Sequence, residues 1–150
     1  LRRVAAAHAG WRGTLAGVAM KAVRALVGEG SNPASLLAAL GPSIGPCCYE
    51  VGPEVEEAFG PSGARFFVPG PRGRKHLDLA KANLAQLEEC GVPAARIDSL
   101  RLCTRCREDL FFSYRREREA SPLGDGANAG RMISVVGFSR ASPSEAASSA

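Results

Sequence analysis

The segment Gly41-Pro42-Ser43-Ile44-Gly45-Pro46 constrains this chain more than any other feature. Its two prolines fix φ and withhold backbone N–H groups, so neither a helix nor a sheet ladder can run through it. A second interruption, 60–73, holds three prolines and four glycines around the short Phe66-Phe67-Val68 run. Regular elements must therefore be short and lie before, between or after these breaks. Two stretches keep helical spacing. In 14–27, Leu15, Val18, Ala22 and Leu26 recur every three or four residues, and Gly28 and Gly30 supply a stop. In 77–90, Leu77, Ala80, Leu84 and Leu87 do the same, with Asp78 placed to cap the start and Gly91 placed for a left-handed end. Pro53, followed by Glu54, Glu56 and Glu57, begins a third, short helix over 53–59.

Apolar and β-branched runs predict strands at 4–7, 36–40, 97–103 and 132–138, while the segment 111–116 reads equally well as the wall of a site aiming one Arg at an anion or as a strand with a basic end. The order β-α-β-α-α-β-loop-β implies an α/β or α+β fold in which helices cover a mixed sheet. The chain opens inside an apparent strand without an initiating Met, so the expected object is an incomplete domain: 1–138 as the C-terminal portion of a single catalytic domain, and 139–150 as a disordered Ser/Ala-rich tail.

Charge excludes some partners. Nineteen Lys and Arg face 15 Asp and Glu, the basic residues are scattered, and the densest group, Arg115, Arg116 and Arg118, is interleaved with Glu117 and Glu119. A nucleic-acid partner is not expected. Nor is a membrane span, since no apolar run approaches the roughly 20 residues required. Five cysteines, an odd set, do not suggest a secreted disulfide framework, which favours the cytoplasm.

Several residues can carry chemistry. His8 ends a predicted strand, where open α/β sheets bind ligands, although spacing alone favours a structural histidine. Arg12, in the Gly-rich turn Gly10-Trp11-Arg12-Gly13, can make two parallel hydrogen bonds to a phosphate or carboxylate at a helix start; an ordinary surface Arg fits that turn equally well. Cys47 and Cys48 can act as nucleophiles or metal ligands, but buried packing is the commoner fate of free cysteine. Cys103 and Cys106 form a C-x-x-C without the second half of a zinc ribbon.

His8-Ala9-Gly10-Trp11-Arg12-Gly13, the run from Gly41 through Cys47-Cys48-Tyr49-Glu50-Val51, Cys103-Thr104, Phe111-Phe112-Ser113-Tyr114-Arg115-Arg116 and Gly130-Arg131-Met132-Ile133-Ser134 occur in that order. Together they resemble the polyphenol oxidoreductase (laccase) family, whose members are also called purine nucleoside phosphorylases or peptidoglycan editing factors. The resemblance implies a zinc ion held by two His and one Cys, with His8 the last of the three. The other two belong to upstream segments that do not occur in this chain. It further implies an enzyme acting on purine nucleosides with phosphate, by phosphorolysis of adenosine or inosine and deamination of adenosine, placing it among transferases and hydrolases. Arg12 is the expected catalytic residue and, with Arg115 and Arg116, the expected substrate-binding set. Copper oxidase chemistry fits poorly, because the chain supplies only His8 and His76 as imidazole ligands. Editing of a peptidoglycan precursor as an amidase or esterase, and a non-catalytic truncated domain, are the alternatives.

Overall fold

The computed structural model describes residues 2–124 and 129–138. The elements are α1 (Trp11–Leu15), α2 (Val18–Gly28), β1 (Ala38–Leu40), β2 (Glu50–Val51), α3 (Pro53–Gly63), β3 (Phe67–Pro69), β4 (Lys75–Leu77), α4 (Leu79–Glu89), β5 (Ile97–Ser99) and α5 (Tyr114–Ala120). They form a mixed α/β architecture in which parallel and antiparallel pairing occupy separate small sheets. β1 pairs parallel with β5, Ala38 opposite Ile97, while β4 lies between β2 and β3 in an antiparallel sheet that sets His76 opposite both Glu50 and Val68.

α4 is the element that joins the two halves of the core. Asp78 Oδ1 accepts the Lys81 N–H at 2.9 Å, satisfying a donor that the first turn would otherwise leave open. At the other end Gly91 adopts φ 86°, and the N–H groups of Val92 and Gly91 turn back to the carbonyls of Leu87 and Glu88 at 3.1 and 2.9 Å. Along its buried face, Leu79 joins Val55 and Leu77 in one cluster, with Trp11, Tyr49 and Phe67 packed around them. Leu87 joins Val23 and Val92 in the other, against Leu40 and Ile97 of the parallel pair. Leu77 is wholly buried, a burial that stabilises by about 1.5–3 kcal/mol relative to exposure. Phe59 adds an edge-to-face contact with Phe67, centroids 5.6 Å apart.

The expected helix over 14–27 is two helices. Gly17 takes a left-handed conformation, φ 69°, between α1 and α2, and this rotation buries Thr14 while leaving Leu15 exposed. The helix begun by Pro53 continues past Phe59, but through a break at Gly60, φ 64°, ahead of Pro61. Three strand expectations fail. Segments 4–7 and 132–138 form no strand: a strand needs a ladder partner, none of the described strands pairs with them, and Ile133 and Val135 are both 89 % exposed. The segment 111–116 runs instead into α5, because the Ser113 hydroxyl accepts the Arg116 N–H at 3.3 Å and so starts a helix of good helix formers. The strand over 97–103 is shorter than expected, ending at Ser99, with one further bridge between Ser43 and Cys103. The expected tail, 139–150, lies outside the described residues. Among the described residues, no helix is long and apolar enough to cross a membrane.

Candidate functional site

His8 is exposed on a loop folded tightly into α1. A Cβ on Gly10 would come within 3.3 Å of His8 Nε2, and one on Gly13 within 3.1 Å of the His8 carbonyl oxygen, so both glycines allow the close approach. Thr14 Oγ1 donates to the Ala9 carbonyl at 3.3 Å and holds the loop from below. Trp11 turns inward to the core, and the exposed Arg12 guanidinium lies 4.5 Å from the Trp11 ring centroid. α1 has only five residues, so the exposed guanidinium, rather than the helix end, is the group able to hold an anion at this point.

Tyr49 connects this loop to α5. Its phenol is pushed up by burial, while the positive charges of Arg115 and Arg12 oppose the rise. Arg115 stacks over the Tyr49 ring at 5.6 Å and donates from Nη2 to the Glu50 carbonyl at 3.2 Å. Two of the three expected substrate-binding arginines therefore act on one tyrosine, Arg115 by contact and Arg12 through its charge. The third, Arg116, turns elsewhere. Its Nη1 donates to the carbonyls of Thr104 and Arg105, both at 3.1 Å, and its Nη2 to the carbonyl of Phe111 at 2.8 Å. A planar fork directed at three carbonyls braces the loop between β5 and α5.

Beside Arg115, a cleft of about 300 Å³ is lined by Cys47, Cys48, Arg72, His76 and Arg105 among others. His76, buried on β4, donates from Nδ1 to the Pro46 carbonyl at 2.6 Å and so fixes the Gly/Pro loop where it delivers the two cysteines. The parallel pairing continues beyond β1 and β5, with the Thr104 N–H donating to the Ser43 carbonyl at 3.0 Å, and this brings the C-x-x-C turn against the same loop. As a result the sulfurs of Cys47, Cys48, Cys103 and Cys106 all lie within 4.8 Å of one another. Burial tends to raise the Cys103 thiol, but N–H groups of Gly45, Cys106 and Arg105 outweigh it and hold it at about 7. Desolvation of its sulfur among the neighbouring thiols, and hydrogen bonds with them, push the Cys47 thiol up. Separate packing of Cys47 and Cys48, the expectation from the sequence, is replaced by a four-thiol group able to hold a metal ion. Cys47 and Cys106 are themselves exposed.

The family model described as multi-copper polyphenol oxidoreductase laccase matches residues 1–139. The chain belongs to this family. Among its relatives, adenosine deaminase RL5 from an unknown prokaryotic organism is 42 % identical over 139 residues, covering 89 % of this laccase-family chain and 49 % of that protein. Purine nucleoside phosphorylase YlmD from Geobacillus stearothermophilus is 39 % identical over 140 residues, covering 89 % and 48 %. The crystal structure of YlmD from the same organism superposes with a TM-score of 0.68 at 41 % identity, over 75 % of this chain and 43 % of that one. That of a Bacillus licheniformis hypothetical protein, YfiH, gives 0.69 at 40 % identity, over 75 % and 44 %. The laccase-family chain thus spans about half the length of the curated relatives it matches.

For a zinc site at His8, the residues of the laccase-family chain fit as one donor only. Its imidazole is accessible and the glycines around it leave it room, yet among the described residues the grouped metal-binding side chains are the four cysteines. One imidazole is too few for tight binding. The place of Tyr49 and the meeting of the two cysteine pairs were not evident in the sequence. The signal for the thiols was present, since an adjacent pair plus a C-x-x-C supplies four sulfurs, but joining them requires the pairing of β1 with β5.

Proposed function

We propose that the protein containing this chain acts on purine nucleosides as a phosphorylase, with deamination of adenosine as a second activity. The observation that supports this reading is that Arg115 stacks on Tyr49 while Arg12, four residues after His8, is near enough for its charge to act on the same phenol, in a chain whose relatives are named purine nucleoside phosphorylase and adenosine deaminase.

Phosphorolysis needs a phosphate held beside the sugar. A phosphate oxygen forms a bond to C1′ of the ribose, the C1′–N9 bond breaks, and the departing purine takes up a proton. Two guanidinium groups suit the first requirement, because each offers paired N–H donors to an oxyanion and neither loses its charge at working pH. Arg12 is the residue assigned to contact phosphate and Arg115 its partner, with Trp11 and Tyr49 the rings that hold their guanidinium groups. Arg116 acts as a positioning residue by holding the loop that carries α5. His8 is assigned as one zinc ligand, the remaining donors coming from outside the described residues, and no step of this reading passes through the metal.

The test uses the protein of its relatives' full length, supplied with adenosine or inosine and phosphate, with free base and ribose 1-phosphate as products. Arg12→Ala and Arg115→Ala should each raise the KM for phosphate roughly tenfold or more, equivalent to about 1.4 kcal/mol. Unchanged phosphate dependence in Arg12→Ala removes Arg12 from the role. Absence of phosphate-dependent base release, with ammonia still formed from adenosine, refutes phosphorolysis and leaves the deaminase activity.

A further inference from the structure

The four clustered thiols are independent of the nucleoside reading, and their arrangement says more than proximity. Cys47 Sγ lies 3.7 Å and Cys48 Sγ 3.3 Å from Cys106 Sγ. In a tetrahedral site with Zn–S bonds near 2.3 Å, neighbouring sulfurs stand roughly 3.8 Å apart. The cluster is thus already close to the size of such a cage, and a small contraction of its widest edge, within 4.8 Å, completes it.

The surroundings are those of a thiolate site. The Gly45 N–H donates to Cys103 Sγ at 3.3 Å, and the amides of Arg105 and Cys106, two and three residues after Cys103, point at the same sulfur. A C-x-x-C turn folded so that its own amides face its first sulfur presents both sulfurs on one side. Gly45 is needed for this approach, as a Cβ there would lie 3.2 Å from Cys103 Cβ and 3.3 Å from Cys47 Sγ. Arg105 Nη1 stands 3.7 Å from Cys48 Sγ and supplies positive charge against a site that four thiolates and a divalent ion would leave at net −2. His76, which binds the Pro46 carbonyl, keeps the adjacent pair in place.

We propose that Cys47, Cys48, Cys103 and Cys106 bind one zinc ion in a closed tetrathiolate site that fastens the loop after β1 to the turn after β5. All four positions are taken by protein, so the site is structural. Its work is to hold the Gly/Pro loop and Arg105 in register at the cleft. Binding transfers the four thiol protons to solvent as the Zn–S bonds form, with no change of oxidation state.

The test is made on this chain purified under reducing conditions with zinc supplied. Elemental analysis should give one zinc per chain, retained in His8→Ala and Cys90→Ser, and lost in Cys103→Ser and Cys106→Ser. Cobalt substitution of the unaltered chain should give intense thiolate-to-metal charge-transfer bands and the visible bands of a tetrahedral ion, a readout that requires no variant to fold. With zinc bound, four of the five cysteines should resist alkylation, and a chelator should expose them. Zinc content unchanged in both serine variants, cobalt bound without charge-transfer bands, iron in place of zinc, or disulfides among these cysteines despite reductant and zinc would each overturn the proposal.

Discussion

Asn83 on α4 donates its Nδ2 to Thr14 Oγ1 on α1 at 2.9 Å, and both side chains are almost completely buried. Thr14 in turn donates to the Ala9 carbonyl, one residue from His8, so a polar chain runs from the centre of the core to the exposed imidazole loop. Removing one partner strands the other away from water. Asn83→Leu should destabilise the fold by about 1–3 kcal/mol in denaturant unfolding. A double-mutant cycle with Thr14→Val should return a coupling energy above zero, because the two residues share one interaction.

Gly70 faces His76 too closely for any side chain. A Cβ at Gly70 would fall 2.3 Å from the His76 ring carbon Cδ2, and that ring is buried and bound to the Pro46 carbonyl. Gly70→Ala should therefore lower stability by about 1–3 kcal/mol, read from thermal or denaturant unfolding, and loosen the cysteine loop. Gly73→Ala makes a useful contrast, since φ 72° strains the backbone there but open space surrounds the added methyl.

Arg116 and Arg115, neighbours in sequence, should behave oppositely. Arg116→Lys keeps the charge but cannot reach three carbonyls with one ammonium, and the loss should be about 2 kcal/mol of stability. Arg115→Lys should leave the unfolding midpoint nearly unchanged and act on phosphate dependence alone. A midpoint shift in Arg115→Lys as large as that in Arg116→Lys would contradict this division of roles.

Tyr49 should ionise later than a free phenol. Burial raises its pKa above 10 in the folded state, the arginines only partly offsetting this. The folded chain then holds its phenolic proton more tightly than the unfolded chain does. Stability from this group is complete below the unfolded pKa and is lost as pH rises through the folded value. In a Tyr114→Phe background, ultraviolet titration should place the remaining tyrosinate signal above pH 10, and Tyr49→Phe should abolish it.

Features set by neighbours along the chain are legible in the sequence itself. The spacing of Ala80, Leu84 and Leu87, with Asp78 before and Gly91 after, states both ends of α4, since caps and periodicity act within a few residues; Leu77, which shares that spacing, lies before the cap and belongs to β4. The Gly41–Pro46 break is equally plain. Tertiary context decides the rest. The apolar run at 132–138 has the composition of a strand, yet strand formation depends on a partner, which composition does not contain. Phe111 and Phe112 suggest a strand, but the Ser113 hydroxyl closes on the Arg116 amide and turns the chain into a helix. The thiol group is hardest to foresee, because Cys48 and Cys106 are separated by 58 positions and meet only once β1 and β5 are side by side.

That parallel pairing has a kinetic corollary. The antiparallel sheet and α3 draw their residues from one continuous stretch, 50–77, and can condense early. Aligning Ala38 with Ile97 must wait until the ends of a long intervening segment have found each other, which makes it a slow event in assembly. A substitution at this seam should therefore retard refolding more than one of equal severity inside the antiparallel sheet, and the cysteines become neighbours only in molecules that have finished folding.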